Sequence, residues 1–116
     1  MSPRTRRKRT AADRQRFAPI FAALGDETRL ALIATLADGT PRSIAQLTEG
    51  TRLTRQAVTK HLRVLEDVRI VHSVKSGRES RYELDLTPVL DLKSYVELVS
   101  ARWDTALSRL KAFVER

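Results

Sequence analysis

Apolar residues at helical spacing predict two helices in the first third of the chain. The first is predicted over residues 13–24, and Gly25 ends it because glycine favours helix termination. Asp26 then lies where an N-cap residue is needed for the second helix. This helix stops at residues 38–41, where the letters DGTP are typical of a turn. The apolar stripes expected to face the core are Phe17, Ile20, Phe21 and Leu24 in the first helix, and Leu30, Ile33, Ala34 and Ala37 in the second.

Two further helices joined by a tight turn are predicted over residues 43–67. Ser43 and Gln46 form a capping-box pattern at the start of the first of them. Thr54 is placed to cap the second, predicted over residues 54–67. Its core stripe is Val58, Leu62 and Leu65, and its opposite face carries side chains suited to base edges and phosphates, namely Arg55, Gln56, Thr59, Lys60 and Arg63. The pattern is typical of a helix-turn-helix, although an ordinary helical hairpin with a solvated polar face would share it.

After this segment the period changes and predicts a β-hairpin over residues 70–86. Apolar and charged residues alternate along its second strand, and a glycine lies in the turn between the strands. Three basic residues, Lys75, Arg78 and Arg81, are expected to cluster at or near the hairpin tip. A basic tip beside a helix-turn-helix would reach the flanking DNA backbone or minor groove, whereas the alternative is a solvated turn.

A long amphipathic helix is predicted to follow, opened by Thr87 and Pro88. From Tyr95 onward its apolar residues repeat at 3.6-residue spacing for about five turns. Such a stripe needs a partner surface, which is either the first helix or a second copy of the chain. We expect both helices to build a dimer interface, with packing inside one chain as the alternative. The residues assigned to this interface are Phe17, Ile20, Phe21, Leu98, Val99, Trp103, Ala106 and Leu110.

Charge distribution favours a nucleic-acid partner. The chain has 116 residues and a net charge of +8. Residues 1–16 hold seven Arg or Lys and one Asp, and residues 52–81 hold eight Arg or Lys and three acidic residues, so the excess lies on the tail and on the DNA-reading half. Residues 1–12 are predicted to be a disordered basic arm that contacts phosphates or a minor groove, or that serves only as a solubilising tail. Residues 13–116 are predicted to form one DNA-binding and dimerisation domain.

Several kinds of chemistry find no support in the chain. It has no cysteine, which excludes internal disulfides, thiolate metal sites and thiol nucleophiles. His61 and His72 are the only histidines and have no further ligands near them in sequence, so we expect no metal site, no cofactor and no enzymatic activity. No apolar run approaches the roughly 20 residues of a membrane span, and no apolar segment follows the basic N-terminus as in a secretory signal.

Three segments together resemble the ArsR-type winged helix-turn-helix regulators. They are LGDETRLALIATL at residues 24–36, SIAQLTEGTRLTRQAVTKHLRVLEDVRIV at residues 43–71 and SVKSGRESRYEL at residues 73–84. The ending SARWDTALSRLKAFVE, at residues 100–115, is similar to a metal-independent branch of the family. The resemblance implies a mainly α fold with a small β-hairpin, in which the helices that flank the wing form the dimer interface.

The resemblance also implies a function. It implies a prokaryotic, cytoplasmic and nucleoid-associated homodimer that binds double-stranded DNA at an operator and represses transcription. The family's base-reading positions fall on Arg55, Gln56, Thr59 and Lys60, and its wing on residues 75–81. Founding members sense metals through cysteines on the helix that corresponds to residues 43–49 or through Asp and His on the last helix, and this chain has neither set.

Three questions stay open at this point. The family usually has glycine where Arg69 stands, before the first wing strand, so either Arg69 tolerates that bend or the bend differs and the wing is oriented differently. Release from DNA could depend on an unknown small-molecule effector, on a partner protein or on protein concentration alone. The alternative function is a non-specific nucleic-acid-binding or architectural basic protein, which would bind through phosphates and would not need Gln56 and Thr59.

Overall fold

The computed structural model of the protein describes the backbone of residues 3–115 and the side chains of residues 11–115. Five helices and a small antiparallel sheet make up this part, which confirms the mainly α class with a β-hairpin. In chain order the elements are α1 (Pro3–Leu24), α2 (Glu27–Leu36), β1 (Arg42–Ser43), α3 (Ile44–Thr48), α4 (Arg55–Asp67), β2 (Val71–Ser76), β3 (Glu79–Leu84) and α5 (Thr87–Val114).

The first helix starts ten residues earlier than predicted. α1 begins at Pro3, so the backbone of residues 3–12 is helical where a disordered arm was expected. Proline is well tolerated in the first turn of a helix, and the Arg, Lys and Ala residues that follow have high helix propensity. Residues 3–12 were expected to be disordered because they have no apolar face. A helix that is packed over residues 13–24 can nevertheless continue into such a segment. The side chains of residues 1–10 lie outside the described set, and the DNA-binding role of this arm stays a prediction.

In α2 the cap was predicted correctly and the buried face was not. The Asp26 carboxylate accepts a hydrogen bond from the Arg29 amide at 3.0 Å, as an N-cap should. The buried residues are Leu32 and Leu36, whereas Leu30 is 51% exposed and Ala34 and Ala37 are also exposed. α2 is apolar on nearly every side, so its period does not select one face, and contact with the neighbouring elements decides which residues are buried.

One apolar cluster joins the helices to the sheet. The stripe predicted on α4, Val58, Leu62 and Leu65, lies at its centre with at most 1% exposure. The aliphatic character of this cluster follows from the scarcity of aromatic residues, which are 5% of the chain. The remaining buried apolar members are Phe17, Ile20, Ala23, Leu32, Leu36, Leu47, Ile70, Val71 and Leu92.

The sheet contains a strand that the sequence pattern did not predict. β1 pairs antiparallel with β3, Arg42 opposite Tyr82 and Ser43 opposite Arg81, so β3 lies between β1 and β2. A two-residue strand is too short to show alternation, and Ser43 also caps α3, which is the role the sequence indicated. The pairing attaches the wing to the start of the helix-turn-helix and so fixes their relative position.

α1 packs against the first half of α5 within the chain. Phe17 stacks on Tyr95 with ring centroids 4.8 Å apart. Phe17 and Ile20 are only 4% and 8% exposed in the single chain, because packing within the chain already covers them, so little of either side chain remains for the dimer interface predicted from the sequence. The second half of α5 differs, because every residue from 100 to 115 is exposed. Within the described residues, no helix is long and apolar enough to cross a membrane.

Candidate nucleic-acid interface

The outer face of α4 presents the five polar side chains predicted to contact DNA. Thr54 caps this helix by accepting a hydrogen bond from the Ala57 amide at 3.1 Å, and Val58, Leu62 and Leu65 hold the opposite face in the core. Outward, Arg55, Gln56, Lys60 and Arg63 are exposed and Thr59 is half-buried. All five line one open groove of about 640 Å³, together with Ile44 and Ala45 of α3.

The polar groups of this face are free to bind, with one exception. The Thr59 hydroxyl donates a hydrogen bond to the Arg55 carbonyl at 2.7 Å, so its hydrogen is already used. The other four side chains make no hydrogen bond or ion pair within residues 11–115. The guanidinium, ammonium and amide groups in this open groove are hydrogen-bond donors of the kind that pair with acceptors on base edges and phosphates.

A polar junction that the sequence did not reveal fixes the orientation of α4. Arg29 donates to the carbonyls of Ala22 and Ala23 at the end of α1, and its guanidinium lies 3.3 Å from Nδ1 of His61 on α4. The Asp26 carboxylate lies 3.8 Å from the same ring nitrogen, and the Arg29 amide holds the pKa of Asp26 below its usual range. This junction gives Asp26 and Arg29 a structural role, since it joins α1, α2 and α4. His61 therefore packs beside the helix-turn-helix core.

A second arginine fixes the segment that leads into α3. Arg42 binds both carboxylate oxygens of Asp38, at 3.0 and 2.8 Å, and also donates to the Thr35 carbonyl at the end of α2. The hydrogen bonds from Arg42 hold the pKa of Asp38 far below its usual range. Because Arg42 is also the first residue of β1, this bidentate pair connects the end of α2 to the sheet.

The wing is the predicted hairpin, but its basic residues do not form one cluster. Gly77 has φ +66° and makes the two-residue turn with Arg78, which lies exposed at the tip. Lys75 pairs with Ser80, and Arg81 pairs with Val74, so Lys75 and Arg81 lie on opposite faces of the hairpin. The proximity of these residues in sequence suggested one patch, whereas the pleat separates them. Arg81 also lies 3.4 Å from the Glu79 carboxylate and is therefore partly neutralised.

Arg69 adopts the bend that the resemblance required of it. Its φ is +65°, and it is the one residue other than glycine with a positive φ among residues 3–115. The left-handed conformation costs an ordinary side chain about 1 kcal/mol or more. It directs the chain from the end of α4 into β2, where the Ile70 amide donates to the Leu65 carbonyl at 3.0 Å.

The two histidines lie in structural contacts. His72 and Glu83 face each other across the hairpin with Nε2 and Oε1 2.6 Å apart. His61 takes part in the junction with Arg29 described above. Within the described part of the chain, no group of three or more His, Asp or Glu side chains could hold a metal ion.

Comparison with known proteins identifies the family. A helix-turn-helix domain family matches residues 24–74. The HTH-type transcriptional regulator Rv2034 of Mycobacterium tuberculosis is 33% identical over 90 residues, which span 78% of this chain and 83% of that protein. The HTH-type regulator YuzN of Bacillus subtilis is 34% identical over 85 residues, 67% of this chain and 92% of YuzN.

A solved structure agrees with these relatives. The ArsR-like transcriptional regulator from Rhodococcus sp. RHA1 is 34% identical and superposes with a TM-score of 0.80 over 90% of this chain and 95% of its own. The same elements that present the α4 face and the wing are thus those of a known group of regulators, and the chain belongs to the ArsR family of DNA-binding, winged helix-turn-helix transcriptional regulators.

Proposed function

We propose that the protein is a homodimeric repressor that binds an inverted-repeat operator, each protomer using α4 and the wing over residues 70–86. The observation that carries this proposal is the face of α4, where basic and amide side chains that have no partner among residues 11–115 lie in one open groove. In this assignment α4 lies in the major groove and Arg78, at the hairpin tip, contacts the flanking backbone.

Sequence-specific binding is supported by the mixture of side chains on this face. Gln56 is neutral and exposed among basic residues, and a glutamine amide can pair with both N6 and N7 of adenine. A protein that binds only phosphates gains less from a neutral amide at this place than from another basic side chain, because most of its affinity comes from charge. The architectural alternative therefore explains the basic residues better than it explains Gln56.

Dimerisation is supported by the second half of α5. Trp103, Leu110 and Phe113 are 65%, 59% and 71% exposed, although they follow the spacing of an amphipathic helix. A stripe of this size on an isolated surface is costly in water, and a second copy of the same helix would cover it. The interface then consists of Phe21, Leu98, Val99, Trp103, Ala106 and Leu110, without the two α1 residues that are buried inside the chain.

Repression and its release follow from the family resemblance. A dimer on an operator blocks access of other proteins to the promoter, and an unknown small-molecule effector, a partner protein or a fall in protein concentration would release it. We propose the bacterial cytoplasm as the location, in contact with the nucleoid.

Selection from a pool of random duplexes at physiological salt tests the proposal. We expect an enriched inverted repeat whose half-sites lie about one helical turn apart. An absence of any enriched sequence, with affinity that collapses steeply as salt is raised, would contradict the repressor assignment and favour the architectural alternative. Placing the enriched site between a promoter and a reporter gene then measures whether the protein lowers or raises transcription.

A further inference from the structure

The groove over α4 has an apolar part, here called its floor, which Ile44 and Ala45 form beside the basic residues. Ile44 and Ala45, at the start of α3, line it together with the polar residues of α4. Both side chains are half-buried, so part of each remains open to whatever enters the groove. A phosphate would gain nothing from these groups, whereas an apolar part of a base would lose contact with water against them.

Thr59 adds a methyl group to this floor. Its hydroxyl hydrogen is taken by the Arg55 carbonyl at 2.7 Å. It therefore has no hydrogen to donate to a base in this conformation, and it offers its methyl group and the oxygen lone pairs instead. The sequence assigned Thr59 to hydrogen bonding, and the structure favours apolar contact.

Thymine is the base that fits such a floor. Of the four bases it alone carries a C5 methyl group in the major groove, and alanine and the threonine methyl are side-chain groups that contact it. We propose that the groove between α3 and α4 reads a thymine through its methyl group, which packs against Ala45 and Thr59. The inference rests on the proposed function, because it requires α4 to lie in the major groove of a specific site.

Replacing thymine by deoxyuridine tests this directly, since deoxyuridine keeps every hydrogen bond and lacks only the methyl group. Each thymine of the selected operator is replaced in turn, and the Kd is measured at constant salt. One position in each half-site should weaken binding by about fourfold, as expected for one methyl group withdrawn from water. The remaining thymines should show no change.

Two variants of Thr59 assign the effect to its methyl group. Thr59→Ser keeps the hydroxyl and loses the methyl, so this variant should bind the thymine and deoxyuridine operators more nearly alike. Thr59→Val keeps a methyl and loses the hydroxyl, so its preference for thymine should be that of the wild type or greater. Ala45→Ser places a hydroxyl on the floor from the other helix and should also reduce the preference. Thermal unfolding and affinity for random DNA check that each variant is folded.

The outcomes separate this inference from the proposed function. A wild-type protein with no preferred sequence would overturn both. If the protein binds a specific operator but no deoxyuridine replacement changes the Kd, the thymine assignment alone is overturned. A preference for thymine that is lost in Thr59→Val and kept in Thr59→Ser would also overturn it, because the Thr59 methyl group would then not be the group that contacts the thymine methyl.

Discussion

Replacing Trp103 by alanine tests whether the second half of α5 is an interface. Trp103 is 65% exposed in the single chain, and Leu107 and Leu110 on the same helix are 56% and 59% exposed. Because every residue from 100 to 115 is exposed, the substitution removes little packing from the protomer itself. An effect on association can therefore be distinguished from an effect on folding.

The expected magnitude follows from the exposed area. A large aromatic side chain buries up to about 250 Å², so the exposed 65% of Trp103 corresponds to about 160 Å². At about 25 cal/mol per Å², covering this area contributes at most roughly 4 kcal/mol for each tryptophan. A homodimer carries two copies of Trp103, so the limit for the dimer is roughly 8 kcal/mol. With partial coverage and the carbon that alanine retains, we expect Trp103→Ala to weaken the dimer by roughly 2–4 kcal/mol, which is about 30-fold to 1000-fold in Kd.

Sedimentation equilibrium over a range of protein concentrations measures the monomer–dimer constant. Val74→Ala is the matched control, because Val74 is a partly exposed apolar residue on the wing and its loss should leave association unchanged. Circular dichroism of the monomer should be the same for both variants. A dimerisation constant unaltered by Trp103→Ala would refute the placement of this residue at the interface. A loss of helix in the monomer would instead show that Trp103 stabilises its own protomer.

Four further predictions concern DNA binding and stability. Gln56→Ala should weaken binding of the selected operator by roughly 1–3 kcal/mol in an equilibrium titration and leave random DNA nearly unaffected; an equal loss on both would show that Gln56 does not read a base. Glutamine in place of the five basic residues among residues 4–9 should flatten the dependence of the Kd on salt, and an unchanged slope would mean that the arm does not contact DNA. Arg69→Gly should raise the free energy of unfolding by up to about 1 kcal/mol in urea titration, since glycine adopts a φ of +65° without strain; a decrease would show that the arginine side chain is needed. The pKa of Asp38 is lower in the folded protein than in the unfolded chain, so its pair with Arg42 stabilises the fold above about pH 4 and this stabilisation is lost as the pH falls further. Asp38→Asn should therefore make the melting temperature less sensitive to acid. A variant whose melting temperature follows the same pH profile as the wild type would contradict this prediction.

Local signals explain why the helix-turn-helix could be predicted almost residue by residue. Ser43 with Gln46 and Thr54 cap their helices as the pattern indicated, since capping depends on residues within three positions. The stripe of α4 was clear because apolar and charged residues alternate at helical spacing. The face of α4 opposite the stripe then had to point away from the core, which located the candidate site.

Other features depend on partners far away in sequence. The buried face of α2 could not be found, because leucine and alanine occur on all its sides and only packing selects Leu32 and Leu36. β1 exists because β3 is there to pair with it. Arg29 and His61 are 32 positions apart in sequence, and no local pattern predicts their contact.

The amino-acid sequence by itself determined the order of the helices and the hairpin, the caps and the polar face of the reading helix, because each of these depends on neighbours along the chain. The tertiary structure decided which side chains remain free. It buried Phe17 and Ile20 inside one chain, left the end of α5 uncovered, separated Lys75 from Arg81 across the pleat and grouped Ala45 with Thr59 in one groove. These outcomes depend on how helices and strands pack in three dimensions, and burial and proximity of that kind are not encoded in spacing alone.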